Sequence, residues 1–435
     1  MNLKEFLKKH NLEEGQLVKV KSKGREFIGN IIPNSNENTL ALKLGSGYNV
    51  GITIDEKISI EKLEGSKKVS KGKSTKIEKT PALPKITILH TGGTIASRVD
   101  YKTGGVIASF TAEDLIAMIP EITKIANIDS QFVSNIMSED MNLGHYGLML
   151  KGIKKAVESG TDGIIIGHGT DTLGYSAAAL SFAVEKSPVP IIIVGAQRSS
   201  DRGSSDAGMN LICAAEFITK TDFGGIGVCL HTSSADSSCS ILPGPKTRKM
   251  HTTRRDAFKA INDTPIATID YKTKEIKYLQ KNYSKKEPEL IIKNKFDEKV
   301  GILKTYPGIN LKQLIFFKKE KYSGLIIEGT GLGHTPIFEN DAFVKGIKEL
   351  IDSGIVVGIT SQCIFGRVNP SVYTNLRKVS ATGAIYCEDM IAETAYIKLS
   401  WLLGNYSTEK AKKMLSENLR GEITKISKYE ENFVE

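Results

Sequence analysis

The chain has 435 residues, of which 40% are hydrophobic, 25% charged and 7% aromatic, enough for about three globular units and at odds with a lone peptide or a disordered tail. Its longest apolar runs, Gly163 to Gly167 and Pro190 to Ala196, fall far short of the ~20 residues that span a bilayer, which excludes a helical membrane protein. Lys plus Arg exceed Asp plus Glu by 59 to 49, and half of the net +10 sits between residues 65 and 82, where six lysines accompany one glutamate.

The first ten residues, Met1 to His10, are charged throughout and carry neither an apolar core nor a small-residue cleavage site, so a cytoplasmic protein is expected. Short β-patterned runs follow: Leu17 to Val20, Glu26 to Ile32, Thr39 to Leu44, Asn49 to Ile54 and Ile58 to Leu63, punctuated by Gly24, Pro33-Asn34 and Gly45-Ser-Gly47. They predict a small all-β barrel of the SH3 or Sm type over residues 1–64. Residues 65–84 are rich in lysine, poor in apolar side chains and closed by Pro81 and Pro84, the composition of a linker.

After Pro84, apolar strands end in glycine and lead into helix-period segments. Lys85 to Leu89 enters His90-Thr-Gly-Gly-Thr94, Asp162 to Ile166 enters Gly167-His-Gly-Thr-Asp171, and Pro190 to Val194 enters Gly195-Ala-Gln-Arg198. Leu173, Ala177, Leu180 and Val184 then keep one apolar face at helical spacing, as in a helix laid on a parallel sheet. The pattern restarts near residue 300 with Gly324 to Thr330 and Gly354 to Thr360. A doubly wound α/β lobe over 85–298 and a smaller α/β lobe over 299–435 are therefore expected, with Tyr271 to Lys299 as an excursion between them. Five cysteines, Cys213, Cys229, Cys239, Cys363 and Cys387, form no C-x-x-C pair and are expected to be reduced and mostly buried.

Open α/β sheets collect ligands beyond the carboxyl ends of their strands, so those loops are the place to seek chemistry. Thr91-Gly-Gly-Thr94 follows a strand directly, and Ile95-Ala-Ser97 is expected to begin a helix, yet the Walker and dinucleotide fingerprints are both missing here. A threonine hydroxyl becomes a useful nucleophile only beside a group that takes its proton. Asp171 adjoins Thr170, Tyr101 lies seven residues past Thr94, and Lys246 and Lys249 share the polar loop after Gly225 to Leu230. A lysine held by Asp171 and hydrogen-bonded to a threonine is a workable general base; the competing reading makes Thr170-Asp171 an ordinary helix N-cap.

Thr91-Gly-Gly-Thr94-Ile-Ala and His168-Gly-Thr-Asp171-Thr, in this order and at strand ends, resemble the two signature segments of the asparaginase and glutaminase-asparaginase family. The resemblance runs from about residue 85 to 420 and takes in Val194 to Arg198, Asp206 to Asn210, Asp256 to Phe258 and Trp401 to Gly404. It implies a two-lobed asparaginase-like fold and catalytic roles for Thr94, Thr170, Asp171, Lys249 and Tyr101. Lys249 is preferred to Lys246 because the family's lysine lies nine residues before the Phe matched by Phe258. Ser138 and Glu139 fall where the family holds the substrate's α-carboxylate and α-amino group, with Asp171 sharing the ammonium; Glu139 departs from the usual Gln. The implied reaction is amide hydrolysis through a threonyl ester, with no metal or cofactor in this chain. His90 and His168 flank the motifs and are expected to be structural.

A small barrel on a basic tether ahead of a complete amidase, together with the run Gly195 to Gly208, resembles the D-subunit family of archaeal-type glutamyl-tRNA(Gln) amidotransferases. That resemblance implies a glutaminase, with glutamine or asparagine as donor, handing ammonia to a partner kinase/transamidase subunit that uses ATP and Mg to convert Glu-tRNA(Gln). It also implies a homodimer. A free-standing cytoplasmic L-asparaginase is the first alternative. The second is a non-catalytic RNA-binding scaffold using the barrel and Lys67, Lys68, Lys71, Lys73 and Lys76.

Overall fold

A computed structural model describes residues 2–22, 24–32, 38–44, 49–55, 57–63, 80–92, 97–99, 106–108, 119–198 and 205–427. Thr94, Tyr101, the lysine-rich residues 65–79, the turns at Pro33-Asn34 and Gly45 to Gly47, and residues 199–204 of the Gly195 to Gly208 run lie outside the described residues.

The chain opens on a helix that the charged N-terminus did not announce. Leu3–Lys9 is closed by a capping box in which the Asn2 side chain accepts from the Glu5 amide and Glu5 returns the bond to the Asn2 amide. Five strands follow, β1 (Leu17–Ser22), β2 (Arg25–Ile32), β3 (Thr39–Leu44), β4 (Asn49–Thr53) and β5 (Ser59–Lys62). They form one antiparallel sheet ordered β4-β3-β2-β1-β5. The period-2 pattern turns Val18, Val20, Leu40, Leu42 and Ile52 inward against Leu3 and Phe6 of the helix.

The large lobe is built on an eight-stranded sheet: β6 (Lys85–His90), β7 (Asn127–Phe132), β8 (Gly163–Gly167), β9 (Ile191–Val194), β10 (Ile226–His231), β11 (Ser238–Pro243), β12 (Ala267–Asp270) and β13 (Ile276–Tyr278). The order is β13-β12-β11-β10-β9-β8-β6-β7. Strands β6 to β10 pair in parallel, and β8, β9 and β10 are buried on both faces, hence their Ile and Val runs, whereas the edge strand β7 is only partly covered. The sheet is not parallel throughout, because β11, β12 and β13 add antiparallel. Only residues 232–237 join β10 to β11, too few for the crossover a parallel pair requires. The expected excursion thus supplies an edge strand, β13, and Ile291–Ile292 pairs with Val184–Lys186.

The small lobe carries a parallel sheet, β14 (Val300–Lys304), β15 (Gly324–Gly329), β16 (Val356–Ser361) and β17 (Ile385–Tyr386), in sequential order. The two lobes share a core. Helix Leu173–Ala183 is buried nearly all round: Leu173, Ala177, Leu180 and the following Val184 lie in the shared core, and helix Ala392–Asn405 packs against it and stacks Trp401 on Phe182 with centroids 5.8 Å apart. Ser97 begins no helix; Ser97–Val99 pairs antiparallel with Val106–Ala108, the Val and Ile of this stretch favouring a hairpin.

Candidate active site

From β6 the chain moves outward to β7, and from β8 it moves the opposite way to β9, so the carboxyl ends of β6 and β8 flank the sheet's topological switch point. Thr91 closes the gap between them, its amide and its hydroxyl both donating to the Gly167 carbonyl at 3.2 and 2.8 Å. Gly92 follows with φ +103°, and a Cβ there would lie 2.5 Å from the Ile136 carbonyl oxygen, so only glycine admits this turn. The turn is pinned further by Ile136 N and Ser134 Oγ, which donate to the Thr91 carbonyl at 3.1 and 3.2 Å. The first motif therefore enters from a fixed point beside the second, and next to the segment that carries Ser138 and Glu139.

The second motif turns directly into helix Leu173–Ala183, whose N-cap is Thr172 and whose cap makes no side-chain hydrogen bond. Asp171 is not spent on capping. Its Oδ1 accepts from Lys249 Nζ at 2.7 Å, and the same Nζ donates to Thr170 Oγ1 at 2.9 Å. Thr170 is buried and Lys249 mostly so, while Asp171 faces the opening. Ser138 is buried alongside: its Oγ accepts from the Asp171 amide at 3.3 Å, and its carbonyl accepts from Thr172 Oγ1 at 2.6 Å. Glu139 follows on the exposed side. The structure thus brings Thr170, Asp171, Lys249 and Ser138 into one hydrogen-bonded group at the strand ends, with Glu139 next to Ser138 in the chain, while Thr94 and Tyr101 lie outside the described residues.

His168 is fully buried, and its Nδ1–H donates to the Gly169 carbonyl at 2.6 Å. Burial pushes its pKa down to about 4 against the opposing pull of that hydrogen bond, so the ring is neutral and shapes the turn. His90 is likewise buried at the end of β6.

Lys246 goes elsewhere. It lies against Asp389 of the small lobe at 2.7 Å, with both side chains buried. Lys249 ends a short strand, Thr247–Lys249, paired with Phe258–Ala260 apart from the main sheet. Thr172 joins the site, and Asp389 and Glu393 meet the hairpin that carries Lys249, without having been singled out by sequence. Thr172 lies inside the quoted second motif, but Asp389 and Glu393 meet this hairpin from more than a hundred residues away, with no local signal.

Family models match residues 85–283 as "Asparaginase, N-terminal", residues 299–415 as "Glutaminase/Asparaginase C-terminal domain" and residues 12–63 as "GatD N-terminal domain". Among solved structures, the thermostable L-asparaginase from Thermococcus kodakarensis superposes with a TM-score of 0.71 at 28% identity, covering 78% of this chain and 99% of that one. L-asparaginase I from Vibrio cholerae gives 0.69 at 26% identity over 79% and 100%. Residues 85–415 thus define an asparaginase-type amidohydrolase.

The full length points further. A Methanococcus maripaludis protein named as the D-subunit of glutamyl-tRNA(Gln) amidotransferase is 47% identical over 416 residues, 95% of this chain and 98% of its own, and the Pyrococcus abyssi protein of that name is 45% identical over 440 residues, 99% of each. The chain belongs to the D-subunit family of glutamyl-tRNA(Gln) amidotransferases.

Proposed function

We propose that this chain is the glutaminase subunit of a tRNA-dependent amidotransferase, releasing ammonia from glutamine, or asparagine, for a partner subunit. The observation that carries the reading is the Lys249 contact to both Thr170 and Asp171 at the switch point, in a chain that matches the D-subunit family along nearly its whole length.

In this reading a threonine hydroxyl, Thr94 or Thr170, attacks the side-chain amide carbon, and its proton passes to the Lys249 amine, directly from Thr170 or by way of Tyr101 from Thr94. Asp171 then holds the ammonium so formed. The tetrahedral intermediate collapses as its nitrogen takes that proton from the Lys249 ammonium and leaves as NH3, giving a threonyl ester and the free amine again. Water attacks the ester, the threonine recovers its proton, and the acid product departs. Ser138 receives the substrate's α-carboxylate, while Glu139 and Asp171 take its α-ammonium through charge-assisted contacts. The partner, using ATP and Mg, activates the glutamyl group of Glu-tRNA(Gln), which the ammonia then converts to Gln-tRNA(Gln) in the cytoplasm. We assign residues 1–64 to the barrel, 65–84 to its linker, 85–298 to the large lobe and 299–435 to the small one, and the protein is expected to pair as a homodimer.

Ammonia release from glutamine and asparagine, measured for the full chain alone and then with the partner and Glu-tRNA(Gln), tests this. Stimulation by the assembled system supports it. Equal turnover alone with asparagine preferred refutes it in favour of a free L-asparaginase, the reading that the superposed structures offer. Thr170→Val, Asp171→Asn and Lys249→Ala are each expected to lower turnover about 100-fold or more, and deletion of residues 1–82 is expected to leave the amidase lobes folded.

A further inference from the structure

We propose that Lys246, Asp389 and Thr424 are positioning residues for Lys249: through them the small lobe and the C-terminal segment hold the lysine on Thr170. The proposal rests on the reading of Lys249 given above.

Thr170 and Asp171 project from the central sheet, but Lys249 does not. Among the described residues its strand has one neighbour, Phe258–Ala260, and no place in the eight-stranded sheet. The hairpin packs on helix Leu173–Ala183 of the large lobe, and a set of directional side-chain bonds ties it to the other lobe as well. Lys246, immediately before the strand, reaches Asp389 at 2.7 Å. Arg248 pairs with Glu393 at 3.1 Å, and Thr394 Oγ1 donates to the Pro245 carbonyl at 2.8 Å. Past the second strand, Asn262 Nδ2 donates to the Asp389 carbonyl at 2.9 Å, and its Oδ1 accepts from the Gly366 amide at 2.8 Å. The hairpin is thereby fastened to the small lobe at both ends. Lys246 and Lys249 are three extended residues apart, about 10 Å, so the buried pair sets where the strand carrying Lys249 begins.

Asp389 is itself held from a third direction. Thr424 donates to its Oδ1 through the backbone amide at 2.9 Å and to its Oδ2 through the hydroxyl at 2.6 Å. Arg367 Nη2 donates to the Thr424 carbonyl at 2.6 Å. Two residues earlier Glu422 meets Lys398 at 2.6 Å with both side chains fully buried, and Arg420 reaches back to Glu185 of the large lobe at 3.2 Å. The segment Arg420 to Thr424 is therefore a strap whose end sets the Asp389 carboxylate, which sets Lys246, which sets Lys249. A buried ion pair is a poor source of stability, since apolar replacements of similar volume are often neutral or better, but its geometry is directional. Directionality is what a base held at 2.9 Å requires.

The test separates positioning from folding. Lys246→Met and Asp389→Asn singly leave a buried group without its partner and are expected to melt early. The double variant Lys246→Met/Asp389→Asn removes both charges, keeps both volumes and should melt near the parent. Under the conditions giving the parent its highest glutamine turnover, the double variant is expected to keep KM within about threefold and to lose roughly tenfold to hundredfold in kcat, the effect of displacing a catalytic group by up to an ångström. Thr424→Val should shift kcat the same way by a smaller factor. A double variant that recovers stability and parental kcat together overturns the proposal, because the pair would then serve folding alone. Parental turnover by Lys249→Ala would instead overturn the functional reading, and the tether with it.

Discussion

Gly174 offers a way to move Lys249 without replacing a polar side chain. It is the second residue of helix Leu173–Ala183, and a Cβ added there would stand 2.8 Å from the Thr247 carbonyl oxygen, two residues before Lys249. Carbon and carbonyl oxygen settle at about 3.3–3.6 Å, so Gly174→Ala must drive the Thr247–Lys249 strand away from the helix start by about half an ångström. The 2.9 Å contact between Lys249 and Thr170 would then open toward about 3.4 Å, beyond good N–H···O geometry. If a full ångström costs about 100-fold, half of one costs about tenfold in kcat. The fold has less to lose, since overpacking costs ~1–3 kcal/mol and helix propensity returns up to ~1 kcal/mol on replacing Gly by Ala. Gly147→Ala, in helix Leu143–Glu158 with open space around its Cβ, serves as control and should keep parental turnover. Steady-state ammonia release with parallel thermal melts decides the matter. A folded Gly174→Ala protein with parental kcat would show that Lys249 tolerates the displacement, and the distance argument would fail.

Three further outcomes are expected. Burial holds the His168 ring at a pKa of about 4 against its ordinary 6.5, so the unfolded chain binds the extra proton first. The resulting stability is complete above pH 6.5 and lost as pH falls toward 4, about 3 kcal/mol in all; His168→Gln should flatten the slope of unfolding free energy across that window, and an unchanged slope refutes the assignment. Cys213, Cys229, Cys239 and Cys387 are buried, burial pushing the Cys387 thiol up to about 12, whereas Cys363 is exposed; an aromatic disulfide reagent should therefore titrate one thiol in the native protein and five in denaturant, and fast reaction of a second thiol would contradict the packing. Lys398→Met leaves Glu422 buried without its cation and should cost about 3–5 kcal/mol by urea unfolding, most of it recovered in Lys398→Met/Glu422→Gln; additive losses in the double variant would deny the coupling.

Strands buried on both faces were legible because each apolar run, such as Gly163 to Gly167, ends in a glycine turn that carries a motif. The antiparallel strands β11 to β13 were not, since a run as short and as exposed as Ile276–Tyr278 looks like polar loop until the neighbouring strand takes up its backbone hydrogen bonds. Helix Leu173–Ala183 was legible as a helix but not in its surroundings, because its alanines and serines do not reveal that a second helix lies over them. The motif loops marked where chemistry should be sought, and Thr170 and Asp171 adjoin in sequence. The anchoring of Lys249 was illegible for a simple reason: Lys246 and Asp389 are 143 residues apart, and no spacing rule reaches that far.

The division of labour between the lobes follows from where rigidity is available. Thr170 and Asp171 follow the carboxyl end of β8, a central strand flanked on both sides by parallel strands. The lysine that meets them rides on a two-stranded hairpin fastened to the small lobe, so the Lys249–Thr170 distance depends on how the lobes sit on each other. The lobes meet through Phe182 and Trp401, and Trp401 Nε1 donates to the Lys293 carbonyl at 2.9 Å. A shift of that joint by a few tenths of an ångström changes the contact at Lys249 while leaving Ser138 and Glu139, which belong to the large lobe, in place. The proposed substrate contacts at Ser138 and Glu139 are thus separable from the contact at Lys249, whereas Asp171 serves both. A partner that bears on the small lobe or on the strap from Arg420 to Thr424 is therefore expected to act on kcat before it acts on KM, which steady-state ammonia release with and without that partner would check.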